Sequence, residues 1–172
     1  MSAPDPAPAL AAMAACGVLA QILPGADPQY IAPLVHLEQS ADIPPNWRRR
    51  LVMIGGDSYT KRLRLSNAEG RQVRLTQSAL QSGYSVGVMA YKFGAEAALD
   101  AKLIEAATLS STLANNLVRD IAAGAAADFP LRGAVLIARF GSGPELGAEL
   151  SRLENLWIDS NFTMGKKSLL QS

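Results

Sequence analysis

Residues that end helices recur along this chain at short intervals: Pro24–Gly25, Pro44–Pro45, Gly55–Gly56 and Gly94. Proline removes an amide hydrogen and clashes with the preceding turn, and glycine pays the largest entropy cost inside a helix. Between these breaks the apolar residues fall at helical spacing, and no alternating strand pattern of any length appears. The expectation is an all-α fold, an irregular multi-helix array of about eight short helices with no nucleotide-binding fold. Composition agrees, since aromatics make up only 6% of the residues while alanine and leucine supply much of the apolar content. At 172 residues the chain is one domain or two small subdomains, long enough to bury a core without disulfides or metal.

Residues 1–8, MSAPDPAP, read as a proline-rich lead-in. A helix is expected from about Ala9 to Ile22. A second has Asp27 as N-cap and Pro28 in its first turn. A third follows the two prolines, with Trp47, Leu51 and Ile54 on one face and Gly55–Gly56 at its end. Ser66-Asn67-Ala68-Glu69 is a capping box that starts a longer helix. Ala68, Leu75, Ala79 and Leu80 fall on one side of that helix; Asn67, Arg71, Arg74 and Ser78 fall on the other. Further helices are expected over SVGVMAYKFG, over AEAALDAKLIEAATL, from Ser111 or Thr112 into IAAGAAA, and from Pro144 with Leu146, Leu150, Leu153 and Trp157 in line. DFPLRG reads as a turn, and there is no internal repeat.

A self-contained active site is not visible. The single histidine, His36, lies among Leu34, Val35 and Leu37 and has no nucleophile beside it, so it reads as a core or surface residue. Cys16, the one cysteine, sits in an apolar stretch and is expected in the core. One histidine and one cysteine exclude an ordinary zinc site. No D-x-D pair is present to hold magnesium for phosphoryl transfer. IGGDSYTKR lacks the G-x-x-x-x-G-K-[ST] pattern and follows no strand, so it reads as a helix end and a turn. No apolar run approaches the ~18–20 residues that span a bilayer. The N-terminus has no basic n-region, and a lone cysteine suits an intracellular setting, so a cytoplasmic location is expected.

Charge is the remaining signal. The formal net charge is only +1, but RLRLSNAEGRQVRL, residues 62–75, holds four arginines. Arg71 and Arg74 are helix neighbours three residues apart. On spacing alone they form either a solvated face or a polyanion contact.

Four phrases in order then resemble one family. APALAAMAACGVLAQILPGAD is similar to the neck helix of bacterial class II tRNA nucleotidyltransferases, the CCA-adding enzymes grouped with poly(A) polymerases. RLRLSNAEGRQV and YKFGAEAALDAKLIEAA resemble segments of the family's helical body. DFPLRGAVLIARFGSGPELGAELSRLENLWIDSNF resembles its tail. The resemblance covers roughly residues 7–171 and implies a neck–body–tail organisation: lead-in 1–8, neck remnant and body 9–126, and tail 127–172. The family's catalytic motifs, G-G-x-x-R-D, D-x-D and E-D-x-x-R, are missing. The chain is therefore expected to be a truncated piece, or one part of a split enzyme, and inactive alone. Val135 stands where many relatives carry an acidic residue, and FGSGP is about one residue short of the common loop.

The resemblance implies a non-catalytic region that holds the acceptor stem and T-arm of tRNA by its backbone. Arg48, Arg49, Arg50, Lys61, Arg62, Arg64, Arg71 and Arg74 are the candidate phosphate contacts. Arg132, Lys166 and Lys167 rank below them. Arginine forks match phosphate oxygens, and A-form RNA is read by charge and shape. The chain itself needs no cofactor; magnesium, CTP and ATP belong to the missing head, a partner in cis or in trans. Two other readings stay open: the same region of a poly(A) polymerase relative acting on other RNA, and an all-α protein-interaction module. An apolar face left where a head would dock would also permit a homodimer.

Overall fold

A computed structural model describes residues 1–140 and 143–171. Twelve helices, and no strand, occur among the described residues. They are α1 (Ala7–Ala15), α2 (Val18–Ile22), α3 (Ile31–Ser40), α4 (Trp47–Ile54), α5 (Tyr59–Arg62) and α6 (Asn67–Gln81). They continue as α7 (Val86–Phe93), α8 (Ala95–Leu109), α9 (Leu117–Ala126), α10 (Gly133–Phe140), α11 (Pro144–Asp159) and α12 (Lys166–Leu169). The count exceeds the expected eight because one expected helix is split in two and α5, α10 and α12 form where none is expected. The expected Ala9–Ile22 helix is two helices, since Gly17 adopts φ 76° and redirects the chain. Asp27 caps a turn rather than α3: its carboxylate accepts the Gln29 amide at 3.0 Å, and α3 begins only at Ile31. α9 likewise starts at Leu117, because Ser110 ends α8 in the left-handed region and 111–114 runs outside any helix.

The chain divides into two compact units, Met1–Ala125 and Ala126–Ser172. In the first, α8 is the central helix, with α3, α4, α6 and α7 packed on it. Residues around much of its circumference are buried, among them Ala97, Ala98, Ala101, Leu103, Ile104, Ala106 and Ala107. A helix that is apolar nearly all round is a core helix, and alanine lets neighbours approach closely. One core cluster gathers Leu10, Leu19, Leu23, Ile31, Val35, Leu51, Val73 and Ile104. Another joins Ala79, Met89 and Ala90 to Ala98, Leu117 and Ile121.

On α6 the buried residues are Gly70, Val73, Thr76 and Ala79. The expected apolar side is therefore rotated: Ala68 is exposed, while Leu75 and Leu80 are half-buried. The capping box is present as expected. Ser66 Oγ accepts from the Glu69 amide, and Glu69 Oε2 accepts from the Ser66 amide at 2.8 Å. Cys16, expected in the core, is exposed beside the α1–α2 break, and its thiol donates to the Met13 carbonyl at 3.6 Å. His36 is also exposed.

In the second unit Leu153 and Trp157 are buried on α11, and Leu146 and Leu150 are half-buried in line with them. Trp157 packs edge-on to Phe162 at 4.9 Å and against Phe129 at 5.5 Å. Val135 lies exposed on α10. Of the FGSGP loop, Gly141 and Ser142 lie outside the described residues.

One packing contact in the first unit is made by backbone alone. A Cβ on Gly124 of α9 would stand 1.9 Å from the Gly87 carbonyl oxygen of α7. Gly124→Ala must push the two helices apart, and we expect a loss of about 3 kcal/mol, at the upper end of overpacking costs. Nothing lies within 4 Å of where a Cβ on Gly147 of α11 would stand. Gly147→Ala should therefore be neutral or stabilising by up to about 1 kcal/mol. Urea unfolding of both variants measures the contrast.

Candidate nucleic-acid interface

The 59–74 segment is a corner made by α5 and α6. Two non-glycine residues, Ser58 and Arg64, adopt positive φ on either side of the one-turn α5. The Leu65 amide donates to the Thr60 carbonyl at 2.9 Å, and Leu65 and Tyr59 pack against the core. The Tyr59 hydroxyl donates to Gln77 Oε1 at 2.5 Å, which fastens α5 to the middle of α6. Partial burial raises the Tyr59 pKa above its ordinary value, with the Gln77 bond and the Arg74 charge pulling the other way. With Tyr59 and Leu65 turned inward, the corner leaves Lys61, Arg62, Arg64, Arg71 and Arg74 exposed, along with Leu63. Arg74 folds back over the start of α6: its Nη1 lies 3.3 Å from where a Cβ on Gly70 would stand.

These five cations have no ion-pair partner among the described residues. Several cations elsewhere do. Lys102 pairs with Glu105, Arg119 with Asp120, Arg132 with Asp128 and Arg152 with Glu149, at 2.6–3.1 Å. The one acid within 61–74, Glu69, is committed to the Ser66 cap, and those bonds hold its carboxyl below the usual range. The corner is thus a patch of uncompensated positive charge on a nearly neutral protein.

The WRRR run divides. Asn46 caps α4 by accepting the Arg48 amide at 3.0 Å. Arg48 is half-buried and reaches Glu96 at 2.6 Å. Arg49 and Arg50 are 3% and 0% exposed, which removes both from the set of phosphate contacts. Their guanidinium groups are already satisfied by protein. Arg49 donates to Glu38 Oε1 at 2.6 Å and to Asp100 Oδ1 at 2.7 Å. Arg50 donates to Glu38 Oε2 and, through its outer nitrogens, to the carbonyls of Met1, Ala3 and Pro4. Two buried arginines meet two buried carboxylates, so the cluster is formally neutral. Sequence reasoning missed Glu38 and Asp100, because partners 11 to 51 residues away leave no local pattern.

Of the lower-ranked candidates, Arg132 is exposed but already paired with Asp128, and Lys166 and Lys167 are exposed on α12. Arg132, Lys166 and Lys167 belong to the second unit, the α5–α6 corner to the first. No three His, Cys, Asp or Glu side chains converge as a metal site would require, among the described residues. Nor is any helix among them long and apolar enough to cross a membrane. Comparison with protein-family models, curated proteins and solved structures returned no match.

Two outcomes follow from the buried cluster. Glu38→Gln removes one of two carboxylates between two buried guanidinium groups and should cost about 3–5 kcal/mol in denaturant unfolding. Burial, reinforced by Glu96 and opposed chiefly by Arg49, pushes the Asp100 carboxyl up to about 6. The folded state then holds this proton more tightly than the unfolded chain, so stability rises as pH falls through about 6. Between pH 7 and pH 5 the wild type should gain about 1 kcal/mol relative to Asp100→Asn, measured by urea titration at each pH.

Proposed function

We propose that this chain is a non-catalytic, RNA-backbone-binding helical module whose contact surface is the α5–α6 corner. The observation that carries the reading is the set of five exposed cations, Lys61, Arg62, Arg64, Arg71 and Arg74, without carboxylate partners among the described residues. A protein that neutralises many other cations locally, and leaves this group free, presents a surface suited to closely spaced phosphates. Positioning on a rigid corner favours shape recognition of a duplex backbone over base reading. The resemblance to the body and tail of CCA-adding tRNA nucleotidyltransferases supports the acceptor stem and T-arm of tRNA as the RNA, a cytoplasmic setting, and a catalytic head supplied in cis or in trans. Mg and nucleotide would then bind in that head. A poly(A) polymerase relative would use the same surface on a different RNA.

The test is fluorescence anisotropy of a labelled acceptor–T-arm minihelix titrated with the protein at several salt concentrations. Binding should weaken steeply with salt, by roughly 0.7–0.9 log units per log salt for each phosphate neutralised. Arg71→Glu/Arg74→Glu should lower affinity at least tenfold and flatten the salt slope, while Arg152→Glu leaves both unchanged. Absence of binding at low salt would overturn the reading in favour of a protein-interaction module. With tRNA lacking its 3′ CCA, CTP, ATP and Mg, the isolated chain should add no nucleotide, as read on a sequencing gel.

A further inference from the structure

The far end of α6 carries a second feature of a different chemical kind. After Gln81 the chain turns through Gly83, at φ 66°, and presents Tyr84. The turn is held by Ser82, whose hydroxyl donates to the Ala79 carbonyl at 2.7 Å and accepts the Tyr84 amide at 3.2 Å. Tyr84 is 43% exposed. It stacks on Phe93, with centroids 6.4 Å apart and planes 24° apart. Lys92 Nζ lies 5.5 Å from the centroid of the same ring. Lys92 has no ion-pair partner, and the Tyr84 hydroxyl no hydrogen-bond partner, among the described residues.

We propose that Tyr84, backed by Phe93 and flanked by Lys92, is a stacking platform for an unpaired nucleotide of bound RNA. The proposal rests on the RNA-backbone reading of the α5–α6 corner and extends it to a second, single-stranded subsite. The chemistry fits the ligand. Phe93 fixes the orientation of the tyrosine ring, so a base that stacks on it pays little ordering cost. Lys92, on a flexible stem, can leave the ring face to the base and meet the adjoining phosphate. Such a pairing of aromatic face and mobile cation is how single strands are held without regard to sequence. From Arg71 and Arg74 to the end of α6 at Gln81 the helix axis runs about 10–15 Å. A strand that leaves a duplex held at the corner must cover that distance to reach the ring. Tyr84 is exposed and its stabilising contacts are few, so its replacement should leave the fold intact.

The experiment compares two labelled RNAs in the same anisotropy assay: a blunt minihelix, and the same minihelix with an unpaired oligoadenylate 3′ extension. The wild type should bind the extended RNA about 5- to 150-fold more tightly, the range that base–aromatic stacking supplies. Tyr84→Ala should abolish that preference without changing blunt affinity or the melting temperature, and Tyr84→Phe should retain it. Arg71→Glu/Arg74→Glu should weaken both RNAs. Equal wild-type affinity for the two RNAs, or a preference that survives Tyr84→Ala, overturns the platform and leaves the backbone reading standing. Failure of the wild type to bind either RNA overturns both.

Discussion

One buried carboxylate organises the first unit. Glu38 on α3 receives both arginines of α4, and Arg49 carries the connection on to Asp100 of α8. Three helices and the lead-in meet at charged groups that water does not reach. Such a cluster is tolerable only when every donor and acceptor is matched, because an isolated buried charge costs far more than its pairing returns. It is matched here: among the described residues no buried side-chain nitrogen or oxygen lacks a partner. Hydrophobic contacts would accept several packings of α3 against α4. The fork of a guanidinium on a carboxylate accepts very few, so the cluster favours a single arrangement of the helices around it.

That arrangement also sorts the positive charge of the protein. Arg49 and Arg50 point inward and are cancelled, Arg48 is met at the boundary by Glu96, and the chain then turns at Gly55 into the α5–α6 corner. There Tyr59 and Leu65 face the core and the cations face outward. Two basic runs of similar composition, WRRR and KRLR, therefore end up in opposite environments: one locks helices together, the other stands exposed without a carboxylate partner among the described residues.

The helical class was legible from the spacing of apolar residues and breakers, and the α6 start from its S-x-x-E box, because those signals act within a few residues. Cys16 was misplaced because its apolar neighbourhood belongs to two helices, and the break at Gly17 turns the thiol outward. Ala68 was misplaced for a related reason. The true buried stripe runs through Gly70 and Thr76, whose small or polar side chains carry little hydrophobic signal. The basic corner was visible as a charge run, with Arg71 and Arg74 on its outer face. The burial of Arg49 and Arg50 was not, since it depends on acids brought together only by the fold.

The grip of Arg50 on the lead-in has a consequence for how such a protein changes over time. Its partners there are the carbonyl oxygens of Met1, Ala3 and Pro4, and every residue type offers the same carbonyl. The exposed side chains of Ser2, Ala3 and Pro4 are free to drift provided the path of the chain is kept, whereas the arginine is not. A tie of this kind leaves no pair of co-varying positions behind it. It would appear in an alignment as one fixed arginine facing a stretch of apparent indifference.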